Sequence, residues 1–269
     1  MFHVRKIEAF DSPELQPYGT MRRQLEHREQ GIFVAEGEKV VRRLLESSFA
    51  VVSVLLPEKW LAEFEPLLRA RSEDIAVFIA EKALLETLTG FSMYQGLLAV
   101  GKVPARRSLE ELLEAPHPRS LLAVEGLTSA QNLGGVVRNC VALGVQGLVV
   151  GENCVSPFLR RAVRSSMGTL FQLPVLESPS LRKSLEQLRR AGVRTIAAHP
   201  GGNLALPRAD LTGDCCVILG SEGYGISPGI LEVCDQALAI PMPPTVDSLN
   251  VGSAAAIFLY EISRQRGKF

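Results

Sequence analysis

The sequence predicts an α/β protein in which a mostly parallel β-sheet carries helices on both faces. Short apolar runs typical of buried strands alternate with helical patterns over residues 121–265. This alternation favours a parallel sheet because parallel neighbours are joined by helical crossovers. Two of the runs, 215–219 and 237–240, stop in loops that are rich in glycine or proline. Open α/β sheets bind ligands where strands end in loops, so we expect both loops to form one pocket.

Each element of this second region is predicted from its own pattern. Apolar runs predict strands at residues 121–125, 147–150, 170–174, 193–198, 215–219 and 237–240. Periodic apolar positions predict helices at residues 132–143, 181–191 and 250–265. A further helix is predicted to begin at Ser156 and Pro157, because serine is a good N-cap and proline suits the first helical position.

The first region, residues 1–104, is predicted to form a small αβ domain of its own. The patterns predict helices at 15–30, 38–47, after residue 57 and at 82–88, and strands at 32–35, 51–56, 75–80 and 96–103. The proline-containing segment 105–119 is predicted to be a linker. Residues 120–269 then form the second domain.

Composition limits the class of protein. The 269 residues include 46% hydrophobic and 22% charged residues, which is typical of a well-cored globular protein. No apolar run reaches the length of a membrane span, and no signal-peptide core is evident, so we expect a cytoplasmic protein. The five cysteines form no C-x-x-C pair, which predicts buried free thiols and neither a disulfide framework nor a metal site.

The formal net charge is zero, so bulk charge does not indicate a nucleic-acid partner. Local arginine clusters could still form a binding patch, although each cluster, taken singly, is better interpreted as a solvated helix face. The candidates are Arg22-Arg23, Arg42-Arg43, Arg160-Arg161-Arg164 and Arg189-Arg190.

The helix predicted near Asn132 has an unusual start, because Gly134 and Gly135 lie in its first turns. A glycine inside a helix costs about 1 kcal/mol relative to alanine, which suggests that something passes close to the backbone there. Arg138 follows Gly134 by four residues, so its side chain should lie over this bare patch. The pattern leaves open whether Arg138 reaches solvent or faces a polar cleft.

The two strand-end loops fit no common phosphate-binding motif. The first, 220–225, has the sequence Gly-Ser-Glu-Gly-Tyr-Gly, and the second contains Ile-Pro-Met-Pro-Pro at 240–244. The glycine spacing is not that of a dinucleotide fingerprint, and no Lys-Ser/Thr pair follows it, as a P-loop requires. The second loop ends at Ser248-Leu249-Asn250, where a helix rich in small residues begins.

Three stretches taken together resemble a known family. They are similar to the three ordered motifs of the SpoU-type (TrmH/SpoU) RNA 2′-O-ribose methyltransferases of the SPOUT superfamily. The three stretches are N-L-G-x-x-x-R at 132–138, G-S-E-G-x-G at 220–225 and I-P-M…S-L-N-V at 240–251. The resemblance covers residues 121–265. F-V-A-E-G at 33–37 and Q-G-L-L-A at 95–99 also resemble a ribosomal-protein-like substrate-binding domain.

The resemblance implies a fold and partners that composition does not reveal. It implies a C-terminal trefoil knot, although knots are otherwise nearly absent from proteins. It also implies a homodimer that acts on RNA, and S-adenosylmethionine bound in a bent form between the knot loops, without a metal. The cofactor-binding residues that it implies are Gly220, Glu222, Gly223, Ile240, Met242, Leu249 and Asn250.

The same resemblance implies a catalytic set. Its members are Asn132, Arg138, Glu222, Ser248 and Asn250. Methyl transfer to a hydroxyl needs orientation and loss of a proton, and no metal. Arginine is always protonated and makes a poor base, so two roles are open. Arg138 could accept the 2′-hydroxyl proton with help from an RNA phosphate or, as we prefer, clamp a phosphate and stabilise the developing alkoxide.

Two residues need separate mention. Gly252 stands where members of the family often have serine, which removes one hydroxyl near the expected pocket. His199 ends a predicted strand, but no catalytic partner is visible in the sequence, so we interpret it as a loop residue.

The sequence therefore favours an enzyme that methylates a ribose 2′-hydroxyl in ribosomal RNA. One alternative is a tRNA 2′-O-methyltransferase, although that branch typically has short terminal helices in place of an N-terminal αβ domain. The other is a non-catalytic RNA-binding or ribosome-assembly factor on the same fold. The full set of motif residues argues against this last alternative.

Overall fold

The computed structural model describes residues 1–89 and 96–268. The chain forms two compact units. The first consists of Met1–Ala105 together with Phe158–Phe171, and the second of Arg106–Pro157 together with the chain from Gln172 onward. The segment 158–171 is thus part of the first unit, although the residues on either side of it belong to the second.

The elements alternate along the chain as the sequence predicts. The strands are β1 (Phe2–Ile7), β2 (Ile32–Glu36), β3 (Val51–Leu56), β4 (Ile75–Ala80), β5 (Leu98–Lys102), β6 (Ser120–Val124), β7 (Gly147–Val150), β8 (Val175–Glu177), β9 (Arg194–Ala198), β10 (Leu204–Ala205), β11 (Cys215–Leu219) and β12 (Gln236–Ala239). The helices are α1 (Gln16–Gly19), α2 (Gln24–Glu29), α3 (Glu38–Glu46), α4 (Leu61–Arg69), α5 (Lys82–Thr89), α6 (Leu109–Leu113), α7 (Ala130–Ala142), α8 (Arg160–Ser165), α9 (Leu181–Arg190), α10 (Pro228–Leu231) and α11 (Val251–Gln265).

The first unit is built on a five-stranded mixed sheet in the order β1-β4-β3-β5-β2. Strands β1, β4 and β3 are parallel, and β5 is antiparallel to both β3 and β2. Helix α3 buries the four apolar residues that its pattern predicts, Val40, Val41, Leu44 and Leu45. Gln95, the first residue of the Q-G-L-L-A motif, lies outside the described residues.

Two features of this unit differ from the sequence prediction. The edge strand β1 was not predicted, because its central residues are exposed and lack an apolar alternation. The single helix predicted at 15–30 is two short helices, α1 and α2. A turn interrupts it, in which Thr20 donates its hydroxyl to the carbonyl of Gln16 at 3.0 Å. The turn allows both Tyr18 and Met21 to be buried, so core packing overrides helical continuity.

The second unit confirms the predicted fold class. Its seven strands form one sheet in the order β10-β12-β9-β11-β6-β7-β8, and every neighbouring pair is parallel. Helices cover the sheet, and the core between them is apolar. Strands β11, β6 and β7 are buried along their whole length, which explains why they appear as continuous apolar runs in the sequence.

The segment predicted to be a linker contains helix α6. Ser108 caps this helix by accepting a hydrogen bond from the Glu111 N–H at 3.3 Å, and the Glu111 carboxylate accepts the Ser108 N–H at 3.1 Å. Leu109 and Leu112 are buried in the core of the second unit. The capping box and two inward leucines make residues 108–113 an integral part of this unit.

Segment 158–171 also differs from its prediction. Its helix begins at Arg160 and not at Ser156 and Pro157, and 170–174 is not a strand, because a short 3₁₀ helix covers Thr169–Gln172. The rings of Phe158 and Phe171 lie 5.9 and 5.6 Å from the ring of Phe33. These aromatic contacts within the first unit determine the path of the segment.

All five cysteines are free thiols, but the predicted burial holds for only three of them, because Cys154 and Cys234 are half-buried. Cys140, Cys215 and Cys216 are buried, and burial raises the pKa of each of these thiols. Among the described residues, no group of three or more His, Cys, Asp or Glu side chains could hold a metal ion. None of the helices within residues 1–89 and 96–268 has the length and hydropathy needed to cross a membrane.

Candidate functional site

A cavity of about 390 Å³ lies where β9, β11 and β12 end. These strands are neighbours in the parallel sheet, so their carboxyl ends open onto the same edge. Residues after each strand and the first turns of α11 line the cavity. They are Ala198, His199, Pro200, Leu219, Gly220, Ser221, Glu222, Gly223, Tyr224, Gly225, Ile226, Ile240, Met242, Asp247, Ser248, Leu249, Val251, Ala254 and Phe258.

The loop after β11 is a tight, pinned turn. Ser221 and Gly225 exchange two backbone hydrogen bonds of 3.0 and 2.9 Å, and the Tyr224 N–H donates to the Ser221 hydroxyl at 3.0 Å. A Cβ on Gly220 would lie 2.1 Å from the carbonyl carbon of Gly225, so position 220 accepts only glycine. Gly225 has a φ of 68°, which glycine adopts without strain.

Three side chains from the three motifs meet at this loop. Asn132 donates its Nδ2 to Glu222 Oε1 at 2.5 Å, and Asn250 donates its Nδ2 to the same oxygen at 3.0 Å. The Asn250 amide also lies 3.4 Å from Asn132 Oδ1. Neither amide contacts Glu222 Oε2, and no described residue donates a hydrogen bond to that oxygen. The Asn132–Glu222–Asn250 cluster therefore keeps one carboxylate oxygen available.

Two helix N-termini position this cluster. Ser129 caps α7 by accepting the Asn132 N–H at 3.3 Å, and Asn250 caps α11 by accepting the Gly252 N–H at 2.9 Å. The helices pack on each other, and Asn139 of α7 donates to the Gly252 carbonyl at 2.7 Å. A carboxylate at two helix N-termini is favoured electrostatically because the dipole of each helix is positive there.

Most of the predicted site residues lie at this cavity. Six of the seven predicted cofactor-binding residues line it, namely Gly220, Glu222, Gly223, Ile240, Met242 and Leu249, and so does the predicted catalytic Ser248. The seventh, Asn250, joins the site through its hydrogen bond to Glu222, as Asn132 does.

Arg138 is the predicted catalytic residue that does not line the cavity. It is exposed on α7, and its side chain forms no hydrogen bond or ion pair with any residue in the described ranges. It follows Asn132 by six residues, which corresponds to about 9 Å along the helix axis and a different helix face. Its guanidinium is therefore free to bind a group from outside its own chain.

His199 contributes to the cavity, although the sequence suggested only a loop residue. The Gly201 N–H donates to His199 Nδ1 at 3.0 Å, which fixes the ring at the end of β9. The residues after β9 were missed because the sequence does not reveal that β9 lies between β11 and β12. Phe258 and Ala254 were missed because they follow the third motif on α11 and have no polar group that would mark them as candidate site residues.

The predicted arginine clusters are largely committed to contacts within the protein. Arg42 pairs with Glu38 and Glu63, and Arg43 donates to the Met167 carbonyl at 2.6 Å. Three further pairs have the same character. They are Arg160 with Glu36, Arg164 with Glu36, and Arg189 with Asp235. Because these arginines are already paired with carboxylates or a carbonyl, they leave little free charge for a ligand.

Known proteins resemble this chain over most of its length. It is 32% identical over 245 residues to an uncharacterized tRNA/rRNA methyltransferase of Mycobacterium tuberculosis. The aligned region covers 87% of this chain and 82% of that protein. The structure is similar to that of the SpoU methyltransferase AviRb from Streptomyces viridochromogenes in complex with the cofactor AdoMet, with a TM-score of 0.82 and 26% identity over 95% of this chain and 98% of that one.

A second solved structure, described as an RNA 2′-O ribose methyltransferase, has a TM-score of 0.80 and 27% identity over 97% of this chain and 99% of that one. The model of the SpoU rRNA Methylase family matches residues 119–260, which contain the whole cavity and the Asn132–Glu222–Asn250 cluster. The chain belongs to the SpoU rRNA methylase family of RNA methyltransferases.

Proposed function

We propose that this protein transfers a methyl group from S-adenosylmethionine to a ribose 2′-hydroxyl of ribosomal RNA. The observation that carries the proposal is the Asn132–Glu222–Asn250 cluster beside the cavity. A ribose hydroxyl is a neutral nucleophile that must be oriented and must lose a proton. The available Glu222 Oε2 can accept a hydrogen bond from such a hydroxyl.

The cavity fits S-adenosylmethionine, the cofactor that SpoU enzymes use. Its volume of about 390 Å³ suits a ligand of this size, since small-molecule sites span roughly 300–1,000 Å³. The missing Cβ at Gly220 allows the Gly225 backbone to pack against it, which gives the loop that lines the cavity its tight shape. Glu222 and Asp247 line the cavity, and their carboxylates complement a sulfonium and an amino group. When bound, the cofactor supplies an electrophilic methyl group.

The chain's own residues have separable roles in this proposal. The amides of Asn132 and Asn250 hold the Glu222 carboxylate in one orientation, so that Oε2 can position the ribose hydroxyl. The Ser248 hydroxyl lines the same cavity and can bind the substrate from the opposite loop. Arg138 is exposed and free of partners among the described residues, which suits a clamp on an RNA phosphate near the developing alkoxide.

We also propose that the working form is a homodimer. Ile257 and Tyr260 of α11 are 39% and 52% exposed and are spaced three residues apart, so they share one face of the helix. Arg138 lies on a different face of α7 from Asn132, which suits a role at the site of a second subunit. Ile257→Asp together with Tyr260→Asp should give a monomer in analytical ultracentrifugation, and an active monomer would contradict the proposal.

The preference for ribosomal RNA rests on the first unit. A separate αβ unit with its own sheet can supply substrate recognition in addition to that of the methyltransferase unit. The relative from Mycobacterium tuberculosis is named for both tRNA and rRNA, so it does not decide between them. Transfer RNA therefore remains the second candidate substrate.

The test is methyl transfer from tritiated S-adenosylmethionine to unmodified ribosomal RNA and, separately, to unmodified tRNA. We expect label in ribosomal RNA, at a position that resists alkaline hydrolysis, because a 2′-O-methyl group blocks the hydroxyl that cleaves the chain. Label at an alkali-sensitive position would contradict ribose methylation. Label only in tRNA would overturn the choice of substrate, and RNA binding without label would support a non-catalytic factor.

Arg138→Ala tests whether Arg138 acts in methyl transfer and not in cofactor binding. We expect it to reduce methyl transfer by about 10²- to 10³-fold, as for loss of a charge-stabilising donor, with cofactor affinity changed by only a few-fold. Isothermal titration with S-adenosylmethionine measures the second quantity. Substantial residual turnover at saturating RNA would contradict the assignment.

A further inference from the structure

We infer that Tyr224 is the stacking platform for the base of the methylated nucleotide. This inference rests on the proposed function, because it assumes that the 2′-hydroxyl of an RNA is delivered to the Glu222 cluster. Tyr224 lies in the loop after β11, two residues beyond Glu222, and its side chain is 97% exposed although it also borders the cavity.

The loop presents this ring without obstruction. Gly223 and Gly225 flank Tyr224, and a Cβ placed on either glycine would meet no other atom within 4 Å. The flanking residues thus add no side chain near the ring, and the 97% exposure of Tyr224 leaves the ring open to a flat ligand. A lone exposed tyrosine on a protein surface needs no explanation in general. This tyrosine differs because it lies on the rim of the candidate active site.

The backbone beneath the ring is held in place before any ligand arrives. The two hydrogen bonds between Ser221 and Gly225, and the bond from the Tyr224 N–H to the Ser221 hydroxyl, fix the turn. A platform that is already ordered loses little conformational entropy when a base stacks on it. The side chain itself has only two torsions to restrict.

Nucleotide chemistry places a base near this ring. The base is attached to the ribose carbon next to the one that carries the 2′-hydroxyl. If that hydroxyl contacts Glu222, the base must therefore lie close to the same loop. Two other aromatic rings line the cavity: Phe258 is buried, and His199 is half-buried, with Nδ1 engaged by the Gly201 N–H. Tyr224 is the most exposed of the three, so its ring is the one most open to a base. Unstacked bases in RNA are commonly received on aromatic rings in this way.

The test compares Tyr224→Ala, Tyr224→Leu and Tyr224→Phe in the full-length chain. Each variant is assayed with in vitro transcribed ribosomal RNA and tritiated S-adenosylmethionine. Stacking predicts that Tyr224→Ala raises the KM for RNA by about 5- to 150-fold, because one stacked base contributes that much to affinity. Tyr224→Phe should behave like the unchanged protein, since it keeps the ring, whereas Tyr224→Leu should resemble Tyr224→Ala. The affinity for S-adenosylmethionine should not change.

A second arm identifies the base. Once the methylated position is mapped, RNA that is abasic at this nucleotide is compared with normal RNA. The increase in the KM for RNA that Tyr224→Ala causes should disappear with the abasic RNA, because the base that stacks on the ring is already absent. A full penalty on abasic RNA would overturn the inference, and so would equal KM values for Tyr224→Ala and Tyr224→Phe.

Sedimentation of each variant excludes a different role for the ring. If Tyr224→Ala dissociates a dimer and leaves the affinity for RNA unchanged, the ring is a subunit contact and the inference is wrong. Absence of methyl transfer by the unchanged protein would instead contradict the proposed function. The two failures are thus distinguishable.

Discussion

Glu36 in the first unit and Glu222 in the second each precede a glycine, yet their carboxylates have opposite surroundings. Glu36 is buried, and its two oxygens accept from two guanidiniums, those of Arg160 and Arg164. Glu222 is exposed, and two neutral amides donate to the same one of its oxygens. A buried carboxylate whose two oxygens both accept from guanidiniums stabilises a fold, whereas a carboxylate held by amides at one oxygen can bind a ligand with the other.

The largest expected effect is on stability, for Glu36→Ala. This substitution leaves the Arg160 guanidinium largely buried without a partner, so we expect the free energy of unfolding to fall by about 3–5 kcal/mol. Chemical denaturation measures the loss. Glu58→Ala is the matched control, because it removes an exposed pair with Lys6 and should cost less than about 1 kcal/mol. Equal losses for both variants would remove the distinction between the buried and the exposed carboxylate.

The complementary change is Glu222→Ala. Without the carboxylate, the amides of Asn132 and Asn250 lose their common acceptor, and the ribose hydroxyl loses the acceptor that orients it. We expect turnover to fall by about 10²-fold, the scale of a misplaced reacting group, while the unfolding free energy changes by less than about 1 kcal/mol. Single-turnover methylation and denaturation of the same preparation check both statements. A variant that is unstable but active would reverse the assignment.

A third carboxylate in the first unit makes stability depend on pH. The Arg71 guanidinium that donates to Glu73 lowers the pKa of this carboxyl from 4.5 to about 2. Because the folded-state pKa is depressed, the ionised group stabilises the protein above pH 4.5, and this contribution is lost as the pH falls from 4.5 to about 2. We expect a contribution of about 2 kcal/mol, since partial exposure reduces the value that the shift alone implies.

Glu73→Gln isolates this contribution from those of other carboxylates. The variant should be less stable than the unchanged protein at pH 7, and the difference between the two should narrow as the pH falls through this window. Thermal unfolding across the pH range measures the difference. A difference that stays constant with pH would show that the Arg71–Glu73 pair is not linked to proton binding.

The smallest expected effects come from two helix caps. Ser108→Ala and Ser129→Ala each remove one N-cap hydroxyl, which costs about 1 kcal/mol of stability. Only Ser129 caps the helix that carries Asn132, so only Ser129→Ala should also slow methyl transfer. Parallel denaturation and activity measurements distinguish the two caps. Equal activities would mean that the start of α7 is positioned by other contacts, such as the bond from Asn139 to Gly252.

The sequence predicted well those elements whose own pattern determines them. Strands β3, β4, β7 and β11 have the predicted bounds, because a strand that is buried along most of its length is a nearly continuous apolar run. The prediction of secondary structure failed where contacts with residues distant in the sequence determine the local conformation. Phe33 draws Phe158 and Phe171 into the first unit, and the partner of these rings is far away in the sequence.

The site was predictable to a similar extent. The resemblance to the family implied that Asn132, Glu222 and Asn250 belong to one site, and the structure joins them by hydrogen bonds. The place of His199 depends on strand order, which periodicity does not encode. The arginine pairs looked like RNA-binding groups, because a sequence does not show that Arg42 already has carboxylate partners.

The assignment of segment 158–171 to the first unit has a consequence for biosynthesis. Translation proceeds from the N-terminus, and domains generally fold as units while they emerge from the ribosome. When residue 105 has been made, the first unit still lacks the phenyl rings and the two arginines that complete it. Its core can close only after the ribosome has added the early strands of the second sheet. The first unit of the nascent chain is therefore expected to become protease-resistant only after residue 171 has emerged from the ribosome, and not when residue 105 has.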